Sequence, residues 1–340
     1  MTTHTFPFAP TRVYNDAVPA IFDSRYLSGA APLTSTTKAG LVMAAHADDL
    51  DFLQASQPKD LGVVWSHIAS WHRRKYVRAV RYGQPRQLAQ SQGFTWSRKF
   101  GESVARIWYG QHMAQRLARE AGRAVLHPVS GAHHAHFDQG GGFCTFNYVV
   151  AGLSDIQQRD PHARCAVIDL DAHWGDGTID MIEQHNLPIS VFDIHGGRST
   201  ERYKAGGGSV WDYGVQHRDD YWDALRHLPS FLATHDITDV VYLAGMDPFD
   251  GDPVGGVNGM TAPALFARDL FVLTLLEAYG ISTVVNFAGG YVPDRVVQLH
   301  GGTIRAMQSA HLVSRVLDRG LLLDPAGAHD FAKASFAVVP

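Results

Sequence analysis

The chain is poor in cysteine. Only Cys144 and Cys165 occur among its 340 residues. With no CxxC pair, neither a disulfide framework nor a thiolate metal site can be assembled from this sequence, and a reducing, cytoplasmic setting is expected. Long apolar runs are also missing. None approaches the roughly 20 residues of a membrane span, and Met1-Thr-Thr-His-Thr-Phe lacks the basic start and apolar core of an export signal, so neither a membrane nor export is expected. There is no extended run of Lys and Arg, and the formal net charge is -4. Nucleic acid is therefore not expected as a partner, because phosphate binding needs clustered cations that release counterions. Several motifs are lacking as well: there is no GxSxG elbow, HExxH helix, GxxxxGK phosphate loop or sound GxGxxG. No internal repeat or Pro/Ser-rich linker divides the chain, so one domain over residues 1–340 is expected, with two domains the alternative that length alone leaves open.

What is present is an ordinary globular composition, 45% hydrophobic and 18% charged, with an unusual 19 histidines. Isolated ones such as His217, His227 and His235 read as surface or packing residues; those in groups carry more information. Short apolar, β-branched runs at Ala124-Val-Leu-His, Ala166-Val-Ile-Asp-Leu-Asp, Ile189-Ser-Val-Phe-Asp-Ile-His, Val240-Val-Tyr-Leu-Ala-Gly-Met-Asp and Thr283-Val-Val-Asn-Phe-Ala-Gly-Gly predict strands buried on both faces. Helical spacing falls between them, at about 101–121, 146–158, 219–233, 261–279 and 294–317, with Thr261 a candidate cap and Pro263 early in its helix. This alternation predicts a doubly wound, mostly parallel α/β sheet, in which ligands bind where strands end. Before residue 100 the pattern is weaker. It suggests strands at Thr11-Arg-Val-Tyr and Leu41-Val-Met-Ala and a helix near 70–80.

The polar residues that need explaining sit at the predicted strand ends. In Asp169-Leu-Asp171-Ala-His173-Trp-Gly-Asp176, three carboxylates and an imidazole fall within eight residues. Burying them is costly unless a cation compensates. An EF-hand is excluded, since its sixth position would be Trp174 rather than Gly and its twelfth Asp180 rather than Glu. One imidazole with carboxylates suits a borderline cation such as zinc. Asp171 and His173 are two ligands, and Asp247, in Ala-Gly-Met-Asp-Pro-Phe-Asp-Gly-Asp-Pro, is the best third. Asp250 reads as a turn residue. Ser130-Gly-Ala-His133-His134-Ala-His136 leads into Gly142-Phe143-Cys144, and a histidine held by a carboxylate is suited to proton transfer. Phe287-Ala-Gly-Gly-Tyr291 places a phenol after a strand, where it could donate to a developing oxyanion.

Taken in order, the His-His pair, Gly-Phe-Cys, Asp-x-Asp-x-His-x-Gly-Asp-Gly, Gly-x-Asp before a second Asp-Pro, and Gly-Gly-Tyr resemble the histone deacetylase superfamily with its acetylpolyamine amidohydrolases. The likeness spans about residues 120–310. Asp138-Gln-Gly-Gly-Gly-Phe-Cys and Gly251-Asp-Pro-Val-Gly-Gly look most like the class IV branch and its bacterial relatives. The resemblance implies an arginase-like α/β fold and zinc held by Asp171, His173 and Asp247. It further implies His134 with Asp176 as general base and then acid, His133 with Asp169 as electrostatic support, and Tyr291 as oxyanion donor. Gly142 and Phe143 would line the acyl tunnel and Val254 its end. Potassium would sit beside the zinc, through Asp169 and the strand containing Asp193 and Ile194. Some positions depart from the family pattern. Asp193 stands where serine is frequent, and Trp174 follows the ligand histidine. Residues 196–208 do not align with the second tunnel-wall aromatic, and Gly93-Phe-Thr-Trp-Ser-Arg-Lys offers no acid to grip a peptide backbone.

The expected function is thus a zinc-dependent amidohydrolase acting on an acyl-lysine, an acylpolyamine or another small secondary amide, with a homo-oligomer left open. The alternatives are a binuclear manganese ureohydrolase of the arginase type, for which a second Asp-x-Asp pair is not cleanly supplied, and a silent ligand sensor that kept the pocket.

Overall fold

A computed structural model of the chain describes residues 17–27, 37–53, 58, 60–197 and 208–316. Its strands are β1 (Val18–Ala20), β2 (Leu50–Phe52), β3 (Val125–Leu126), β4 (Cys165–Asp169), β5 (Ser190–Gly196), β6 (Val210–Val215), β7 (Asp239–Leu243) and β8 (Ser282–Asn286). They form one eight-stranded sheet in the order β2-β1-β3-β8-β7-β4-β5-β6. Every pairing is parallel, so all strands end on the same edge. The helices are α1 (Lys38–Ala45), α2 (Leu61–Trp71), α3 (Arg74–Tyr82), α4 (Arg86–Ala89), α5 (Arg98–Ala121), α6 (Tyr148–Arg159), α7 (Asp176–His185), α8 (Arg218–Leu225), α9 (Leu228–Thr234), α10 (Ala262–Ala278) and α11 (Val296–Val316).

The central strands alternate between two apolar cores, one on each face of the sheet. Ala166 and Ile168 of β4, Phe192 of β5 and Val240 and Tyr242 of β7 join the core under α8 to α11. Cys165, Val167, Val191, Val241 and Leu243 join the one under α2, α5, α6 and α7. Side chains point to opposite faces with period two, so a sheet covered on both sides requires an unbroken apolar run. Helix ends follow local chemistry. The Ser97 hydroxyl accepts from the Phe100 amide at 3.1 Å to open α5, which closes at left-handed Gly122. Thr261 caps α10, its hydroxyl accepting from the Ala264 amide at 3.3 Å.

Several expectations change. Leu41-Val-Met-Ala is not a strand but part of α1; a four-residue apolar run cannot distinguish a strand from a buried helix segment. The run at 219–233 splits into α8 and α9, with Pro229 in the first turn of the second. The helix near 70–80 is two, α2 and α3, broken at His72-Arg73. Thr11-Arg-Val-Tyr lies outside the described residues. Cations are not evenly spread either, for Arg74, Lys75, Arg78 and Arg81 all lie on the exposed side of α3 while Tyr76, Val77, Ala79 and Val80 are buried.

Candidate metal and acid-base site

The segments beyond β3, β4, β7 and β8 converge at the C-terminal edge of the sheet. Asp171 and Asp247 are fully buried and are fixed by main-chain donors. The Gly289 amide donates to Asp171 Oδ2 at 2.6 Å, the His173 amide to Asp171 Oδ1 at 3.0 Å, and the Ala172 amide to Asp247 Oδ1 at 2.9 Å. His173 Nδ1 then sits 3.0 Å from Asp171 Oδ1 and 2.9 Å from Asp247 Oδ2, and one ligand atom from each residue lies within 4.8 Å of the others. His173 Nε2 is 3.2 Å from the Val254 carbonyl. A carbonyl can only accept, so Nε2 carries a proton, and with no cation between the groups Nδ1 must carry one as well to meet the two carboxylates.

That arrangement calls for positive charge between the three groups. Hydrogen bonds to Asp171 and Asp247 push His173 up to about 11. Burial, then the charge of Asp171, pushes Asp247 up to about 7. A divalent cation answers both demands, and one nitrogen with two carboxylate oxygens is a donor set that leaves coordination positions open for water and substrate. Glycine is required behind the site. A Cβ at Gly289 would lie 2.2 Å from Asp247 Oδ2 and 2.6 Å from Asp171 Oδ2.

His133 and His134 stand beside the cluster, ring centroids 4.0 Å apart. His133 Nδ1 is 2.9 Å from Asp169 Oδ2, and His134 Nδ1 is 2.7 Å from Asp176 Oδ1. The His134 ring centroid is 5.9 Å from that of His173. Burial and the neighbouring His133 lower His134, outweighing the upward pull of Asp176, so at neutral pH it is an unprotonated acceptor. Burial would raise Asp176, but hydrogen bonds with His134 and His136 prevail and hold it far below the usual carboxylate range. Gly142 packs under His134, where a Cβ would fall 2.1 Å from His134 Cδ2. Phe143 has φ 64°, its amide donates to the Gln92 carbonyl at 3.0 Å, and its ring stacks on Phe94. It borders a cavity that Lys38, Phe100, Val104 and Tyr148 also line.

Tyr291 faces Phe143, with ring centroids 6.0 Å apart. Burial and the charges of Asp171 and Asp247 raise its phenol, which keeps it a proton donor. Three further groups support it. Asp252 accepts the Tyr291 amide at 2.8 Å. The Lys38 ammonium lies 5.5 Å from the Tyr291 ring centroid and donates to the Ala288 carbonyl. Fully buried His300 packs behind Gly290, whose φ of 127° and lack of a side chain allow the approach. Asp252 had a signal, the second Asp-Pro; Lys38, far away in sequence, and His300, on the following helix, had none.

One expected site residue lies elsewhere. Val254 is 42% exposed and meets His173 through its carbonyl, so its side chain does not close a tunnel. Trp174 packs partly buried against the core under α2, α5, α6 and α7. Asp169 and Asp193 are register partners on β4 and β5, both buried. Burial, then the charge of Asp171, pushes Asp169 well up, and burial, then the charge of Asp169, pushes Asp193 well up. Asp193 Oδ1 has no hydrogen-bond partner among the described residues, and Ile194 follows it, buried, on β5. In the segment that offers no peptide-gripping acid, the Gln92 carbonyl accepts the Phe143 amide and Phe94 stacks on the Phe143 ring.

A cluster with metal-ligand spacing, two carboxylate-held histidines and a buried phenol thus meet on one edge of an all-parallel sheet. The histone deacetylase domain model matches residues 38–307, and the chain belongs to that family. An uncharacterized protein of Picosynechococcus is 31% identical over 246 residues, covering 71% of this chain and 80% of its own length. Histone deacetylase 2 of Arabidopsis thaliana is 28% identical over 54% of this chain, and the match spans only 48% of that protein. The crystal structure of acetylpolyamine aminohydrolase from Burkholderia pseudomallei shares the fold, with a TM-score of 0.70 at 19% identity over 86% of this chain and 99% of that one.

Proposed function

We propose that the protein is a zinc-dependent amidohydrolase that removes an acyl group from an amine. The observation that carries this reading is the His134–Asp176 pair set against the Asp171–His173–Asp247 cluster, with Tyr291 close by. When bound to those three ligands, zinc supplies Lewis acidity for the amide carbonyl and lowers the pKa of water. His134, neutral and oriented through Nδ1 by Asp176, accepts the proton of the attacking water at Nε2 and returns it to the departing amine. His133, held by Asp169, contributes a nearby imidazole whose field opposes the accumulating negative charge. The Tyr291 hydroxyl donates to the oxyanion that develops on the former carbonyl, and its raised pKa keeps that proton available.

Gly142 and Phe143 form one wall for the acyl group. The amine is an acyl-lysine, an acylated polyamine or a small secondary amide; the absence of an acid in the 92–99 segment favours the small amines over a peptide. The partnerless Asp193 oxygen next to Asp169 supports a second, monovalent cation, potassium, with the Ile194 carbonyl as a further ligand. We place the enzyme in the cytoplasm, acting without nucleic acid or membrane, as a single domain open to self-association.

The test is a zinc-loaded rate assay over acetyl-, trifluoroacetyl- and long-acyl-lysine substrates, acetylated polyamines and anilides, each beside Tyr291→Phe. Turnover that depends on Tyr291 with one zinc per chain supports the proposal. Two metals per chain would favour the arginase-type reading, and a folded, zinc-loaded protein silent on the whole panel would leave a sensor.

A further inference from the structure

Arg268 is fully buried on α10 and takes no part in the chemistry described above. Its Nη1 donates to the Leu170 carbonyl at 3.2 Å and to the Gly245 carbonyl at 2.8 Å. Leu170 immediately precedes Asp171, and Gly245 stands two residues before Asp247. These carbonyls lie one residue beyond the end of β4 and two beyond the end of β7, where the chain leaves the sheet ladder and needs other donors. One rigid guanidinium therefore clasps both segments from which the two carboxylate ligands project.

The clasp is itself held. Arg268 Nε donates to Asp269 Oδ1 at 2.9 Å, and Nη2 lies 2.8 Å from the same oxygen. Asp269 also accepts the Tyr242 hydroxyl at 2.6 Å and the Thr303 hydroxyl at 2.7 Å. All four side chains are fully buried. A buried ion pair is seldom more stabilising than well-packed apolar residues of the same volume. Its geometry, two carbonyls drawn to one group, does what apolar residues cannot.

We propose that Arg268, oriented by Asp269, is a positioning residue that sets the separation of the Asp171 and Asp247 carboxylates and so tunes metal affinity and geometry. This rests on the reading of Asp171, His173 and Asp247 as the metal site. The test compares wild type, Arg268→Lys, Arg268→Met and the control Leu276→Ala, a core truncation on the same helix that touches neither carbonyl. Two readouts are taken on folded protein: Zn2+ affinity by competition with a chromophoric chelator, and the visible absorption of the Co2+-loaded form, which reports coordination geometry.

Both Arg268 variants are expected to lose about 10–100-fold in Zn2+ affinity, the range usual for groups that orient ligands, and to change the Co2+ spectrum, with Lys retaining more than Met. Leu276→Ala is expected to lower Tm and leave both metal readouts as in wild type. If Arg268→Met does not fold, Arg268→Lys, which keeps the charge, decides. Wild-type affinity and spectrum in folded Arg268→Lys would overturn the proposal, as would equal losses in Leu276→Ala. Failure of the wild type to bind zinc would instead refute the metal reading on which the proposal stands.

Discussion

His133 and His134 are the same side chain one peptide apart, and their surroundings make them unequal. The partner of His133 is Asp169, buried and pushed well up by desolvation and the charge of Asp171. The partner of His134 is Asp176, held low by hydrogen bonds. His134 is thus the imidazole backed by a reliable anion. His134→Ala is expected to lower kcat by about 10²–10⁴, the usual contribution of a positioned acid-base group, with zinc content unchanged by metal analysis. The pH profile follows from the same contacts. His134 must be unprotonated to accept, and burial sets it below the ordinary histidine value of 6.5, so the acid limb of kcat/KM should have its midpoint below that pH. Asp176 pulls His134 upward. Asp176→Asn should therefore move the limb to still lower pH while reducing the maximal rate, and a shift to higher pH would assign the limb to another group.

At the scale of elements, the loop after β8 carries the tightest constraint. Gly289 donates to Asp171 and lies against Asp247, while Gly290 makes the turn that presents Tyr291. Gly289→Ala forces a Cβ into the carboxylate pair. Zinc binding should fall by 100-fold or more, on the order of the largest losses expected when ligand orientation is disturbed, while far-ultraviolet circular dichroism stays that of wild type. Wild-type zinc affinity in this variant would show that the loop yields. The strands that carry such loops were legible because both faces of β4, β5, β7 and β8 are buried, which leaves continuous apolar runs in the sequence. The motifs at their ends were legible because buried carboxylates and histidines are rare without a purpose. β6 was not predicted: Val210-Trp-Asp-Tyr-Gly-Val is mostly half-buried at the sheet edge, with no strong period. Arg268 and Lys38 were equally invisible, since nothing local in the sequence shows that a cation on α10 or α1 will be folded beneath a strand end. The role of Asp252 is masked in the sequence because it also makes the turn, its Oδ1 accepting the Val254 and Gly255 amides at 3.0 and 3.2 Å.

At the scale of the whole molecule, the fold concentrates negative charge. Asp169, Asp171, Asp193 and Asp247 are all at most 1% exposed on one edge of the sheet, and uncompensated buried charge opposes folding. A cation that binds only the native state reverses this by mass action, by about 4.1 kcal/mol at a thousand times its Kd. At roughly 2 °C per kcal/mol for a chain of this size or somewhat smaller, Tm should rise by about 8 °C on zinc saturation. The size of that rise should depend on pH. The folded-state pKa of Asp247 is raised to about 7 from the ordinary 3.8, so the metal-free native state is favoured while Asp247 is protonated and loses stability as pH rises through about 7. The loaded state needs Asp247 and His173 free of the protons that compete with the metal. The gap in Tm between zinc-loaded and chelator-treated protein, measured by scanning calorimetry, should therefore be wider at pH 8 than at pH 6. A gap that is equal at the two pH values would mean that Asp247 does not exchange a proton for the metal, and no gap at either would mean that zinc is not part of the native fold.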